Sequence, residues 1–492
     1  MRDESNILTR INRSIAWMGL ASTVVHLLDV VALVLLLRYW VSPEQLGVAT
    51  LAISIFPLLD LATDLGLGAA LVHRDDHTPE RLSTVFWLNL AMALGLAGVL
   101  ALLGPMLGRV HGQPIIGWML MAYGGKLVWQ SSYTISAMRM KKELRYRELS
   151  LVRIGANLAE FAAKLGFAVA GFGIWCFVLG PMARSLVTGI ACQWLAPYQP
   201  RLLLRLRDAR DYLSFGLKSS ASQMLFHFYT NVDYQIVGWF FGTAALGLYR
   251  AAYELILEPV RLISNVVVEV AFPAFTRLRD RRDLLVEQLV AFTRQNLVVV
   301  MPFLGLVLLE AEALLGLFFG PGWTTAANTA RLLCIVGAFR AVSFVLPPLL
   351  DGIGKPGVTL KYMVTAAVLL PASYIGCAAL LGDSLGYLSV AVAWVVGYPV
   401  AFAVLAALAL AQIDYSWPAY LRRVLGIPLW SALAMAAGAG MRWLTLDVTP
   451  GLRLAAVALT MLVAFGLLLA RFEQITPASV VRAVRGGAAP LA

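Results

Sequence analysis

Residues 245–270 read ALGLYRAAYELILEPVRLISNVVVEV, a run long enough to cross a bilayer with charge set inside it. Arg250, Glu254, Glu258, Arg261, Asn265 and Glu269 fall at offsets 0, 4, 8, 11, 15 and 19, one slowly rotating helical face. The remaining positions are mostly aliphatic. A charge in hydrocarbon costs at least a few kcal/mol, so such a stripe belongs to a spanning helix that turns one side to a polar interior.

Working outward, the same pattern fills the chain. Fourteen apolar stretches of spanning length run approximately over 15–37, 45–70, 83–104, 115–137, 150–171, 174–196, 213–241, 245–270, 290–315, 326–350, 360–380, 385–410, 424–441 and 453–471. Mean hydropathy is +0.77 and only 14% of residues are charged, which excludes an ordinary soluble domain. Lipid offers the backbone no hydrogen-bond partner, so spans of this length are helices; barrel strands would be shorter and alternating. The expected fold is all-α and integral to the membrane. The long runs 45–70 and 213–241 are expected to tilt, kink or extend past the bilayer.

Charge sets the orientation. Counting span-end residues with the loops, 25 of the 39 Lys and Arg lie on the N-terminus, every second loop and the C-terminal tail. The opposite loops carry four, and ten cations with ten acids lie within spans. Positive loops stay cytoplasmic, so both termini are expected there. The net charge of +11 is thereby a topology signal and not evidence for nucleic acid. No cleavable leader is evident, because the first fourteen residues are polar and the first apolar run continues too far. Cys176, Cys192, Cys334 and Cys377 lie in spans without C-x-x-C spacing and read as reduced, buried thiols.

The chain repeats itself. Leu46-Gly47-Val48-Ala49 opens the second span, Leu246-Gly247-Leu248-Tyr249 the eighth and Leu385-Gly386-Tyr387-Leu388 the twelfth; Phe172-Gly173-Ile174-Trp175 echoes them at the sixth. Matching elements six spans apart imply two halves of equal orientation. The expected division is 1–212, 213–420 and an appendix of two spans over 421–492. Pro57 and Pro259 interrupt matching spans and read as paired hinges or static bends.

Other spans are striped too. Arg153, Asn157, Glu160 and Lys164 share one face at offsets 0, 4, 7 and 11. Gln223, His227, Asn231 and Tyr234 do so at 0, 4, 8 and 11, with Asp233 beside them. Ser22, His26 and Asp29 mark the first span, Asp60 and Asp64 the second, and Lys126, Arg184 and Arg340 sit mid-span. Singly, each residue fits a buried ion pair such as Glu160 with Lys164. Together they fit a water-filled cavity, with stripes of both halves facing it. Trp129, Tyr133 and Tyr229 are candidates for stacking on sugars. The last four spans, with only Lys361 at an entrance, are expected to pack outward. No G-x-x-x-x-G-K-[ST], H-E-x-x-H or C-x-x-C signature occurs, and His73 and His77, spaced i, i+4, read as a solvated loop. No metal site and no enzyme chemistry are expected.

A resemblance follows from several landmarks in order. Trp40-Val41-Ser42-Pro43-Glu44-Gln45-Leu46-Gly47 leads to Asp64-Leu65-Gly66-Leu67-Gly68-Ala69-Ala70-Leu71-Val72. Then come Leu246-Gly247-Leu248-Tyr249-Arg250-Ala251-Ala252, Phe272-Pro273-Ala274-Phe275-Thr276-Arg277-Leu278, Gly322-Trp323 and Gly354-Lys355-Pro356. The set resembles bacterial polysaccharide flippases, the Wzx-type branch of the multidrug/oligosaccharidyl-lipid/polysaccharide exporter superfamily. The resemblance implies a V-shaped pair of six-helix bundles plus two peripheral helices in the bacterial inner membrane. It implies transfer of an undecaprenyl-pyrophosphate-linked oligosaccharide between leaflets, no cofactor beyond a proton or sodium gradient, and work beside membrane lipids, a polysaccharide polymerase and other assembly proteins. Cavity cations are expected in the family; here Lys126, Arg153, Lys164, Arg184, Arg261 and Arg340 are candidates by type and depth. Asp29, Asp60, Asp64, Glu160, His227, Asp233, Glu254 and Glu258 are candidates for ion coupling or polar lining. Rival readings are a cation-coupled drug exporter of the same superfamily, a membrane polysaccharide polymerase or ligase, and a non-transporting scaffold. The outer loops are too short for the large catalytic loop of a polymerase or ligase.

Overall fold

A computed structural model describes residues 2–64, 78–203 and 205–475, without the side chains of 2–16, 18, 20 and 206–219. Every regular element among the described residues is helical. The longer helices are α1 (Arg2–Tyr39), α2 (Pro43–Ile53), α3 (Phe56–Asp64), α4 (Pro79–Val110), α5 (Pro114–Lys142), α6 (Tyr146–Val169) and α7 (Cys176–Leu195). They continue as α8 (Leu206–Leu278), α9 (Arg282–Phe318), α10 (Ala327–Ser343), α11 (Leu346–Gly352), α12 (Pro356–Leu385) and α13 (Leu388–Gln412). Last come α14 (Trp417–Val424), α15 (Gly426–Leu444) and α16 (Pro450–Leu468).

Among the described residues, ten helical segments are long and apolar enough to cross a membrane, so the chain is a multi-pass membrane protein. Helices α5, α6 and α8 are as long but fall outside that ten, and they carry Lys126, the Arg153–Lys164 stripe and the 245–270 stripe. Helix α8 is two helices joined at Gly242, whose φ of 81° and ψ of 177° break the helical path at little cost because glycine has no Cβ.

Local chemistry fixes the helix starts. Pro43 stands in the first turn of α2, where its missing N–H is no loss. Ahead of it, the Ser42 hydroxyl accepts from the Gln45 amide at 3.3 Å, and the Gln45 side chain accepts from the Ser42 amide at 3.0 Å. Thr78 caps α4 in the same manner before Pro79. The two hinge candidates differ. At Pro57 the helix stops at Ile53 and restarts at Phe56, whereas Pro259 lies inside α8, whose non-helical backbone is at Gly242.

The chain forms two compact units, Met1–Gly247 and Leu248–Ala492. The expected division at 212/213 falls inside α8 and its first piece groups with the N-terminal unit. Gln235 of that piece donates to the Leu51 carbonyl at 3.0 Å and to the Ser54 hydroxyl at 2.8 Å. The repeated Leu-Gly elements also meet in this unit. Any Cβ on Gly47 would overlap the Thr243 carbonyl oxygen, and any on Gly247 the Pro43 carbonyl oxygen. The two helices therefore cross at backbone contact, as small residues permit in membranes.

In the second unit, α15 and α16 do not merely pack outward. Glu310 of α9, 1% exposed, receives Arg442 of α15 and Arg453 of α16, each at 3.3 Å. Nearer the other end of α9, Arg294 pairs with Glu473, which also accepts from the Trp430 indole at 2.8 Å. Replacing Glu310 by Leu leaves two arginines facing one another without their acid. The expected loss is about 3–5 kcal/mol of stability, read as a lowered melting temperature of the purified protein; restoring an acid with Glu310→Asp recovers part of it.

Candidate functional site

One cluster of ionised groups in the first unit lies where α1, α6 and α7 meet. The offsets of Arg153, Asn157, Glu160 and Lys164 place all four on the side of α6 turned to α1 and α7. Glu160 is the centre. Its two oxygens receive Lys164 Nζ at 2.8 Å and Arg184 Nη1 of α7 at 2.9 Å. Lys164 also lies 3.8 Å from Asp29 of α1. The Lys164 stem runs over Gly180, where a Cβ would stand 2.5 Å from its Cγ.

Burial separates the roles of these groups. The Glu160 side chain is 4% exposed, whereas that of Arg184 is 41% exposed. The acid is fixed in the packing and the arginine reaches from it into open space. About two turns along α6, Arg153 is exposed and donates to the Ser22 hydroxyl at 3.0 Å. Ser22 in turn offers its carbonyl to His26 Nδ1 at 2.6 Å. Arg153, Arg184, Lys141, Asn157, Tyr146 and Thr188 line a cavity of about 470 Å³. Helix α5 supports it: the Trp129 indole donates to the Ser185 carbonyl at 3.0 Å, and Tyr133 shares a 3.0 Å hydrogen bond with the Ser185 hydroxyl. Three long cations from α5, α6 and α7 around one cavity suit an anion by charge and by geometry, since a guanidinium offers a paired fork to phosphate.

Other candidates lie elsewhere. Lys126 is 6% exposed and held by Asp60 at 2.6 Å. Tyr123 donates to the other Asp60 oxygen at 2.7 Å and accepts from Lys126 at 3.1 Å, with Phe56 stacked on its ring. This closed triad ties α3 to α5, so Lys126 is a paired cation and not one reaching into open space. Asp64 lines a second cavity, of about 260 Å³. Asp233 is buried and accepts from the Tyr234 amide at 3.0 Å, and the His227 carbonyl accepts from Asn231 at 2.8 Å. His73, His77 and the stretch from Leu65 to Val72 lie outside the described residues.

In the second unit the stripe of α8 pairs with itself. Arg250 bonds Glu254 one turn on, and Arg261 holds Glu258 at 2.6 Å. Arg340, expected in a cavity, is buried in an aromatic box: it donates to the Tyr253 hydroxyl at 2.9 Å and lies 4.6 Å above the Trp394 ring. Among the described residues no three His, Cys, Asp or Glu side chains gather as metal ligands. Sequence reasoning missed Lys141 and Tyr146, because it took 138–149 for loop. Their signal was the cationic end of α5, where the last turn holds Arg139, Lys141 and Lys142.

Comparison with known proteins bears on what such a site serves. The profile of a family described as "Polysaccharide biosynthesis protein" matches residues 8–328. Teichuronic acid biosynthesis protein TuaB of Bacillus subtilis (strain 168) is 26% identical over 287 residues, 57% of this chain and 59% of TuaB, so the match spans less than two thirds of that relative. Lipopolysaccharide biosynthesis protein WzxC of Escherichia coli (strain K12) is 25% identical over 391 residues, 76% of this chain and 77% of WzxC. Among solved structures, lipid II flippase MurJ in an inward closed conformation superposes with a TM-score of 0.75 over 94% of this chain and 99% of that one. At 13% identity this is a likeness of fold.

Glu160→Leu strands Lys164 and Arg184 against each other at the centre of the site. We expect a loss of about 3–5 kcal/mol, measured by thermal unfolding in detergent, with partial recovery in the double variant Glu160→Leu/Lys164→Leu.

Proposed function

The chain belongs to the polysaccharide biosynthesis protein family, and on that premise we propose that it flips an undecaprenyl-pyrophosphate-linked oligosaccharide repeat unit across the bacterial inner membrane, for exopolysaccharide or O-antigen assembly. The observation that carries this reading is the cavity walled by Arg153, Arg184 and Lys141. Within the network around it, Lys141, Arg153, Lys164 and Arg184 stand against Asp29 and Glu160, so positive charge is in excess. A pyrophosphate supplies the missing negative charge and four or more acceptor oxygens. The positive-inside pattern of the loops puts Lys141 and Tyr146 next to the cytoplasm, the side on which the lipid-linked unit is made.

In this reading fourteen spans form two six-helix bundles with two further helices after them. The pyrophosphate docks on Arg153 and Arg184 while the prenyl tail stays in lipid and the sugars cross through the hydrated interior. Arg184 is preorganised for this by Glu160, which holds its Nη1 and leaves its other donors to the cavity. Access alternates between the two membrane faces as one bundle rocks against the other. Asp60, Asp64 or Glu254 is the acid we assign to coupling with a proton or sodium gradient. The polysaccharide polymerase and other assembly proteins act on the flipped product.

The test is complementation of a flippase-null strain that supplies a matching repeat unit. Arg153→Gln and Arg184→Gln each remove a charge-assisted contact of about 1.5–3 kcal/mol, so surface polysaccharide should fall roughly 10- to 100-fold at unchanged protein level. Full activity of both variants overturns the assignment.

A further inference from the structure

The second cavity of the first unit has a lining unlike the first. Thr63, Asp64, Asn89, Gln130, Tyr133 and Thr134, from α3, α4 and α5, surround about 260 Å³. Asn89 is 2% exposed. Its amide donates to the Thr63 carbonyl at 3.4 Å, yet its Oδ1 has no hydrogen-bond partner among the described residues. A buried acceptor left unmade is costly, so it asks for a donor that comes from outside the protein. Gln130 makes no side-chain hydrogen bond to a described residue either, although its carbonyl accepts from Thr134 at 2.9 Å.

The choice of ligand follows from lining and size. Gln130 offers donors, while the Asp64 carboxylate, Asn89 Oδ1 and the hydroxyl oxygens of Thr63 and Thr134, whose protons go to the Leu59 and Gln130 carbonyls, offer acceptors; this lining suits a group that both donates and accepts. An apolar ligand would leave Asn89 Oδ1 unmade. A single cation would satisfy the oxygens but leave the carboxamide donors of Gln130 idle. It would also fill little of the space, since a water needs only about 10–15 Å³ by this measure. A polyhydroxylated ring fits the volume and supplies hydroxyl donors to these acceptors, with Tyr133 also in the lining.

Position links the two cavities. Ala137 of α5 lines both, and Tyr133 reaches from the second cavity to Ser185, the neighbour of Arg184. We infer that this pocket is the subsite for the pyranose ring attached to the pyrophosphate, read by Asn89, Gln130 and Asp64. The inference rests on the flippase reading above and names the part of the substrate that the cation-lined cavity does not hold.

The experiment compares binding of two kinds of lipid to the full-length protein in nanodiscs by native mass spectrometry. One is undecaprenyl pyrophosphate without sugar; the others carry a single glucose, galactose or N-acetylglucosamine. At least one glycosylated lipid should bind about tenfold more tightly than the sugar-free lipid. Asn89→Ala should erase that gain and leave the sugar-free affinity within about twofold. Gln130→Ala, at a half-buried position, should do the same and guards against a folding defect at Asn89. The subsite is overturned if no sugar improves binding to the unaltered protein, or if both variants lose the two kinds of lipid equally. It is also overturned if Asp64→Asn leaves the sugar discrimination unchanged. Failure of the flippase reading looks different: Arg153→Gln and Arg184→Gln would then leave the sugar-free lipid's affinity untouched.

Discussion

Glu160 decides how the first unit can hold so much positive charge within membrane helices. A lone carboxylate buried there would be neutralised or would unfold its surroundings. Two cations instead share it, Lys164 from its own helix and Arg184 from the next. The pairing lets α6 and α7 pack while Arg184 still turns toward the cavity. Packing and binding are thus the same contact seen from two sides. A residue that only sealed the interface would have both partners buried; here the acid is buried and the arginine is not.

The stripe of α8 in the second unit resolves the same problem locally. Arg250 with Glu254 and Arg261 with Glu258 are neighbours on one helix, each pair one turn long. Such pairs satisfy charge with little demand on other helices. Arg340 is treated differently again, lying over Trp394 and bonded to Tyr253. Surplus positive charge around an open cavity is therefore a property of α5, α6 and α7, not of every striped span. The sequence repeat sets where helices begin and cross, as Gly47 and Gly247 do, without duplicating the chemistry.

Much of the fold was legible because its signals are local. Apolar length gives spans, i, i+4 spacing gives faces, and the Arg153–Lys164 stripe did turn toward α1 and α7. Helices α5, α6 and α8 show why hydropathy alone is a blunt guide: the charges that remove them from the apolar set are those that make the polar interior. What sequence could not reveal is partner choice. Nothing near Lys126 in sequence names Asp60, and only the fold brings Tyr123 onto the same carboxylate. Asn89 was invisible because a single asparagine in an apolar helix has no periodic signal; its unpaired oxygen exists only once α3 and α5 surround it. Pro57 and Pro259 looked equivalent, yet the helix parts only before the first, where Ser54 also meets Gln235 across α2 and α8.

The last two helices carry the same lesson into energetics. Arg442 sits in the last turn of α15 and Arg453 in the first turn of α16. Both turn inward to Glu310, where the backbone of α9 leaves helical geometry at φ −120° and ψ 27°. At the opposite end Arg294 and Trp430 share Glu473. An apolar helix pair against lipid gains little from hydrophobic burial, because lipid tails are as apolar as leucine. Ion pairs at both ends supply what the hydrophobic effect cannot: a fixed register of α15 and α16 along α9. The charges in this protein thus serve two purposes that hydropathy does not distinguish, and burial of the cation separates them. Lys126, 6% exposed and closed on Asp60 and Tyr123, uses its charge to fix helices; Arg184, 41% exposed on the cavity, keeps donors available to a ligand.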